Sequence, residues 1–213
     1  MKRMSSGTIV VPRAEFAMDD PWVTPAACEP VRLRLATDGA APRLSTSVCA
    51  YYDDEYLTVV FCAADDEVVA TLVARDAPLY EEDVVEVFLA PERATAYFEL
   101  EVSPAGSIFD AMVDSPDRNR ATMTVDRAWD CSGLVAAVRK TFESDGAMSV
   151  DTVLRIPFAA VAETAPRRGT RWLANFFRID RSTAGDEFSA WQPTLKIPAD
   201  FHVPGAFGTL EFD

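Results

Sequence analysis

Apolar and polar residues alternate along this chain in short runs, and no long stretch repeats its apolar residues at the 3.6-residue helical period. The clearest run is Tyr97-Phe98-Glu99-Leu100-Glu101-Val102. With a side-chain period of two, Phe98, Leu100 and Val102 face a core, and Tyr97, Glu99 and Glu101 face outward. Comparable runs occupy residues 31–35, 44–52, 56–64, 84–89, 107–113, 134–142, 147–156, 172–179 and 208–212. Asp53-Asp54-Glu55, Pro104-Ala105-Gly106 and Ser144-Asp145-Gly146 supply turns between them. Residues 157–162 form one short helix with Pro157 in its first turn, and residues 114–122 read as a solvated loop. Many short strands with a turn every ~8–12 residues predict an all-β fold. The expected form is an antiparallel two-sheet β-sandwich, jelly-roll or immunoglobulin-like, with at most one short helix. No composition break or fixed repeat divides the chain, so residues 1–213 read as a single domain.

A formal net charge of −14 argues against nucleic acid and anionic membrane as partners, since both attract Lys and Arg patches. Neutral or cationic ligands, metal ions included, fit that balance. The apolar run Ile9-Val10-Val11 is too short for an export-signal core, so the chain as written reads as cytoplasmic, or as secreted if a leader has been removed. Cys28, Cys49, Cys62 and Cys131 have no metal-ligand spacing and read as buried free thiols.

The polar chemistry concentrates in Leu79-Tyr80-Glu81-Glu82-Asp83-Val84-Val85-Glu86-Val87-Phe88-Leu89. Alternation puts Val85, Val87 and Leu89 on one strand face and Val84, Glu86 and Phe88 on the other. A carboxylate at mid-strand on an apolar face needs a partner: an arginine such as Arg178, a metal ion or a ligand hydroxyl. Glu81, Glu82 and Asp83 are weak candidates for a calcium site, calcium being a hard cation that takes oxygen ligands. Asn175 both donates and accepts, as a polyol site requires, but its parity is opposite to that of Arg178. No nucleophile elbow, phosphate loop or zinc motif is present.

In order, Asp19-Asp20-Pro21-Trp22, Tyr52-Asp53-Asp54-Glu55-Tyr56-Leu57, Glu82-Asp83-Val84-Val85-Glu86 and Trp172-Leu173-Ala174-Asn175-Phe176-Phe177-Arg178-Ile179 form a series of blocks. It ends with Ala190-Trp191-Gln192-Pro193-Thr194, Phe201-His202-Val203-Pro204 and Phe207-Gly208. This series resembles the family 9 carbohydrate-binding modules and their DOMON-like relatives over nearly the whole chain. The resemblance implies a β-sandwich that binds a neutral oligosaccharide or monosaccharide without cleaving it, in association with polysaccharide breakdown. It places a pair of ring-clasping aromatics at Tyr80 and Phe201, where relatives often carry Trp. It places the family's strand carboxylate at Glu86, and Glu99 where relatives often have a basic residue. Asn175, Arg178 and Trp191 complete the expected ligand set; Trp22, Trp129 and Trp172 are read as core. No cofactor is expected beyond a structural calcium, which relatives often carry. A haem, as in some DOMON-like relatives, would require His202 with Met112 or Met123 as axial ligands. The alternatives are the same fold binding another small molecule or a protein, and a glycoside hydrolase with two carboxyls facing across a cleft.

Overall fold

A computed structural model describes residues 7–142, 144 and 147–213, so the amino-terminal segment before Gly7 and most of the turn expected at 144–146 lie outside the described residues. The strands are β1 (Thr8–Val11), β2 (Val31–Arg32), β3 (Arg34–Leu35), β4 (Thr46–Tyr52), β5 (Tyr56–Asp65), β6 (Val84–Arg93) and β7 (Ala96–Val102). They continue with β8 (Ile108–Asp114), β9 (Thr124–Asp126), β10 (Val135–Phe142), β11 (Met148–Pro157), β12 (Arg171–Asp180), β13 (Glu187–Ala190) and β14 (Gly208–Phe212). Among the described residues the one α-helix, α1, is the short Phe158–Val161 turn. Nine strands form the larger sheet, in the order β1-β14-β12-β6-β7-β8-β9 with β13 and β3 branching from β12. Five form the smaller, in the order β10-β11-β5-β4-β2. All pairings within them are antiparallel except β1 with β14, which run parallel.

Local chemistry explains the hairpins. At the β4–β5 turn, Asp53 Oδ1 accepts from the backbone N–H groups of Glu55 (2.8 Å) and Tyr56 (2.7 Å), closing an Asx turn. Asp53 Oδ2 is held by Arg155 Nη2 at 2.8 Å. The run at 31–35, expected as one strand, is instead divided between the sheets. Val31–Arg32 pairs with β4 and Arg34–Leu35 with β13, and the buried Leu33 crosses over with its N–H bonded to Thr46 O at 2.9 Å. A five-residue alternation satisfies either sheet, so its pattern alone does not reveal a strand that switches between them.

Three apolar layers result. Val85, Val87, Leu89, Leu100, Val102 and Phe176 meet Val48, Val59, Phe61 and Leu154 between the sheets. The opposite face of the larger sheet carries Phe88, Tyr97, Phe109, Ala111, Phe177 and Phe201, roofed by loops. A smaller cluster around Tyr51, Val60 and Val153 lies outside the five-stranded sheet. Of the four free thiols, Cys28, Cys49 and Cys131 are buried as expected; Cys62 is exposed, because it sits on the solvent face of β5.

Trp191 is core rather than cleft. It is 5% exposed, its ring lies 5.6 Å from that of Phe176, and it presses on Gly208. A Cβ at Gly208 would come within 2.6 Å of Trp191 Cζ3 and 2.8 Å of the Gly7 carbonyl oxygen. Gly208→Ala is therefore expected to lower stability by about 1–3 kcal/mol, as overpacked cores do. A urea-unfolding midpoint equal to that of the parent protein would contradict this packing.

Candidate functional site

The roofed face of the larger sheet contains a cleft of about 290 Å³. Its floor is formed by Glu86 from β6 and Glu99 from β7. Its walls are aromatic: Tyr80 from the 3-10 turn Leu79–Glu81, Phe109 from β8, Phe188 from β13, and Phe201 from the loop before the final strand. Arg120, Arg127, Asp200 and His202 add polar groups.

The turn residue Tyr80 packs edge-on against Phe109, with ring centroids 6.1 Å apart, and its hydroxyl accepts from Arg127 Nη2 at 3.2 Å. Phe201 stacks on Phe177 at 4.2 Å with an interplanar angle of 14°. One face of Phe201 is thus covered by the protein, and the residue is only 7% exposed. Arg120 is held by Asp200 at 2.8 Å. His202 Nδ1 shares a 2.8 Å hydrogen bond with the Tyr97 hydroxyl, and Nε2 lies 3.7 Å from Glu99 Oε1. Burial lowers the imidazole pKa to about 4, with help from Arg120, so His202 is neutral near pH 7. Nδ1 is committed to Tyr97, and Met112 lies on the other side of its strand beside Phe98, so Met112 is not placed to pair with His202; Met123 lines the same cleft, its Sδ 3.6 Å from the Tyr97 hydroxyl.

Pairing of β6 with β7 sets Glu86 directly opposite Glu101, with Glu99 two residues along on the same face. One carboxylate oxygen from each of the three lies within 4.8 Å of the others. Sequence parity assigns Glu99 and Glu101 the correct face, but that face is not solvent: the roof leaves Glu99 5% and Glu101 0% exposed. Glu86 Oε1 and both Glu101 oxygens are buried with no hydrogen-bond donor from outside the cluster, although Glu99 and Glu101 are close enough to share a proton. Desolvation, and then the charge of Glu99, pushes the Glu86 pKa well up; desolvation followed by the charges of Glu86 and Glu99 does the same to Glu101. Glu99 rises to about 7, mainly by desolvation, moderated by its bond to Glu101 and by Arg120 and Arg127.

These raised values have a signed consequence. Between the ordinary value of 4.5 and the folded value, the native state binds more protons than the unfolded chain, so stability falls as pH rises. His202 acts in the opposite sense, but only between its folded value of about 4 and its ordinary 6.5. In chelator-treated buffer, stability is therefore expected to decline as pH rises above ~6.5 and through the Glu99 value of about 7, and Glu101→Gln to flatten the decline. Urea unfolding across that range checks it; an unchanged slope in the variant would contradict the assignment.

Several expected ligand groups lie elsewhere. Arg178 faces the inter-sheet space, 4% exposed, and cannot reach Glu86, which is on the opposite face of the sheet. Its Nη2 bonds Asp65 Oδ2 at 2.9 Å and Asp180 Oδ1 at 2.8 Å, and its Nη1 donates to Ala64 O at 2.6 Å. Asn175 has the cleft-side parity but is wholly buried. Its Oδ1 accepts from the N–H groups of Phe176 (3.0 Å) and Gln192 (2.9 Å), while Nδ2 donates to Gln192 O at 2.8 Å, so it pins a loop. Among the described residues, Glu81, Glu82 and Asp83 do not converge on one centre. Glu81 is exposed, and Glu82 Oε2 accepts from Leu72 N–H at 2.9 Å. Asp83 accepts from the N–H groups of Val69 and Arg181, both at 2.7 Å. Asp83 does approach Asp65 and Asp180, but Arg178 already supplies a counter-charge to that group. Sequence reading missed Phe109, Phe188, Arg120 and Arg127 as cleft residues. Only the aromatic at 109 on a β8 run gave any local signal.

A two-sheet sandwich with an aromatic-walled, carboxylate-floored cleft on one outer face defines a ligand-binding sandwich domain. The sequence profile of carbohydrate-binding family 9 matches residues 37–212, and the chain belongs to that family. Among solved structures, one assigned provisionally as a carbohydrate-binding protein of Bacteroides uniformis superposes with a TM-score of 0.75 at 18% identity, covering 98% of this chain and 100% of the other. A family 9 carbohydrate-binding module of Caldicellulosiruptor kristjanssonii in complex with cellotriose gives 0.63 at 15% identity, covering 97% and 93%. The same organism's module in complex with glucose gives 0.61 at 15%, covering 97% and 95%. No curated protein matches the chain. Among the described residues no helix is long and apolar enough to cross a membrane.

Proposed function

We propose that this protein binds neutral carbohydrate without cleaving it, holding a sugar ring or chain end in the cleft walled by Tyr80 and Phe201, in the service of polysaccharide breakdown. The observation that carries this reading is the convergence of Tyr80, Glu86, Glu99 and Phe201 on one cleft in a family 9 chain. Aromatic faces take the apolar C–H face of a pyranose, and carboxylates and guanidinium groups take its hydroxyls. The cellotriose and glucose held by the Caldicellulosiruptor module make β-linked gluco-oligosaccharides the first class to test.

Against hydrolysis, Glu86 and Glu99 share one floor rather than flanking a bond from opposite sides as a glycosidase pair does, and the third carboxylate lining the cleft, Asp200, is tied to Arg120 at 2.8 Å and to the His202 N–H at 3.1 Å. Calorimetric titration with glucose, cellobiose, cellotriose and xylo-oligosaccharides, with reducing ends assayed in parallel, tests both halves. One binding site with a Kd of roughly 10 µM to 1 mM and no new reducing ends is expected. Absence of binding across the panel would overturn the reading in favour of another small molecule or a protein as ligand. Product release lost in Glu86→Gln would overturn it in favour of a hydrolase.

A further inference from the structure

We propose that Glu86, Glu99 and Glu101 form a binding site for a divalent cation, of the calcium type, at the floor of the cleft. Three carboxylates from two adjacent strands offer one oxygen each within 4.8 Å of one another, the span that three ligands of a single ion at ~2.3–2.6 Å permit. Two of these side chains have no partner outside the cluster. Glu86 Oε1 and both oxygens of Glu101 are buried with no hydrogen-bond donor from any other part of the protein, although Glu86 is 2% and Glu101 0% exposed. Buried carboxylates are ordinarily paired or coordinate a metal ion. No arginine does the pairing here. Arg178 is on the other face, Arg120 is bonded to Asp200, and Arg127 donates to the Tyr80 hydroxyl. His202, the nearest base, is tied to Tyr97 through Nδ1.

The donor set selects the ion. The three converging donors are all carboxylate oxygens, anionic once an ion displaces their protons, which favours a hard cation; the one nitrogen donor near them, His202 Nε2, lies 3.7 Å from Glu99 Oε1. Glu86 and Glu99 line the cleft whereas Glu101 lies beneath it, so an ion held by all three would present its remaining coordination positions to the cleft. Water would fill them in the free protein. If the sugar-binding reading holds, adjacent hydroxyls of the ring would replace that water, and this second half of the inference rests on that reading.

The test begins without sugar. The full chain is stripped with chelator, dialysed into about 0.15 M salt to screen weak surface binding, and titrated with CaCl2 by calorimetry while its melting temperature is followed. One equivalent of Ca²⁺ should bind and raise the melting temperature. Glu101→Gln, whose amide can donate to the neighbouring carboxylates, should weaken the ion at least ~10-fold while remaining folded. Asp83→Asn, in the other acidic group, should leave the affinity within ~2-fold. No binding below about 10 mM Ca²⁺, or equal affinity in Glu101→Gln, would overturn the site and leave protons as what the cluster shares. Sugar titrations with and without Ca²⁺ then separate the two readings. Ca²⁺ binding with no effect on a sugar that does bind removes only the bridging role, whereas sugar binding without any Ca²⁺ binding refutes the site and leaves the carbohydrate reading standing.

Discussion

Arg178→Ala is expected to cost about 3–5 kcal/mol of folding stability, the range measured when one member of a buried ion group is removed. The reason lies in what remains. Asp65 and Asp180 are 5% and 2% exposed; without Arg178, Asp65 loses its guanidinium partner and Asp180 keeps only Arg43, at 3.5 Å. Thr46 and the Ala64 carbonyl lose donors as well. Arg178 also ties β12 of the larger sheet to β4 and β5 of the smaller one, so the loss falls on the contact that holds the sandwich together. Arg178→Lys keeps the charge but not the fork, and is expected to recover only part of the stability. A triple variant, Arg178→Met with Asp65→Asn and Asp180→Asn, should recover more than the single one, because it removes the charges that were stranded. Urea unfolding at pH 7 measures all three. A loss below about 1 kcal/mol in Arg178→Ala would contradict the buried-ion assignment.

The second large effect is on binding. Tyr80→Ala is expected to weaken a gluco-oligosaccharide by about 5- to 150-fold, the equivalent of ~1–3 kcal/mol for a stacked side-chain face. Its melting temperature should change little, since Tyr80 stands in a turn and packs on the protein mainly through Phe109 and Arg127. Phe201 behaves differently. Its stack on Phe177 and its 7% exposure make it part of the apolar layer, so Phe201→Ala should lower both affinity and stability. Phe201→Leu keeps most of the apolar volume without the flat face, and is the cleaner probe of ligand contact. Calorimetry and thermal unfolding on the same samples separate the two effects. Unaltered affinity in Tyr80→Ala would mean the ring lies outside the ligand's footprint.

The period-two alternation made the sandwich legible, because an alternating run admits little besides a strand with two unlike faces. It also put Glu86 on one face of its strand with Val84 and Phe88, Glu99 and Glu101 on the outward face of theirs, and Arg178 and Asn175 on opposite sides of β12. What it could not supply was what covers each face. Glu99 and Glu101 read as solvent-facing, yet segments near Arg120 and Phe201, distant in sequence, roof them. The strand offset that sets Glu86 against Glu101 is likewise a property of the β6–β7 pairing and not of either strand. Asn175 shows the same limit from the other side: an amide of the right parity was consumed by Gln192, whose position depends on the loop beyond β13. The short β1, β9 and β13 gave no clear signal because strands of three or four residues carry too little alternation to register.

A structure of the protein crystallised with cellotriose would test the proposed site most directly. The expected result is a terminal pyranose in the cleft beside Tyr80 and Phe201, with ring hydroxyls within hydrogen-bond distance of Glu86 or Glu99, or joined to them through one bound cation. Cellotriose bound on another surface, with this cleft filled only by water, would contradict it.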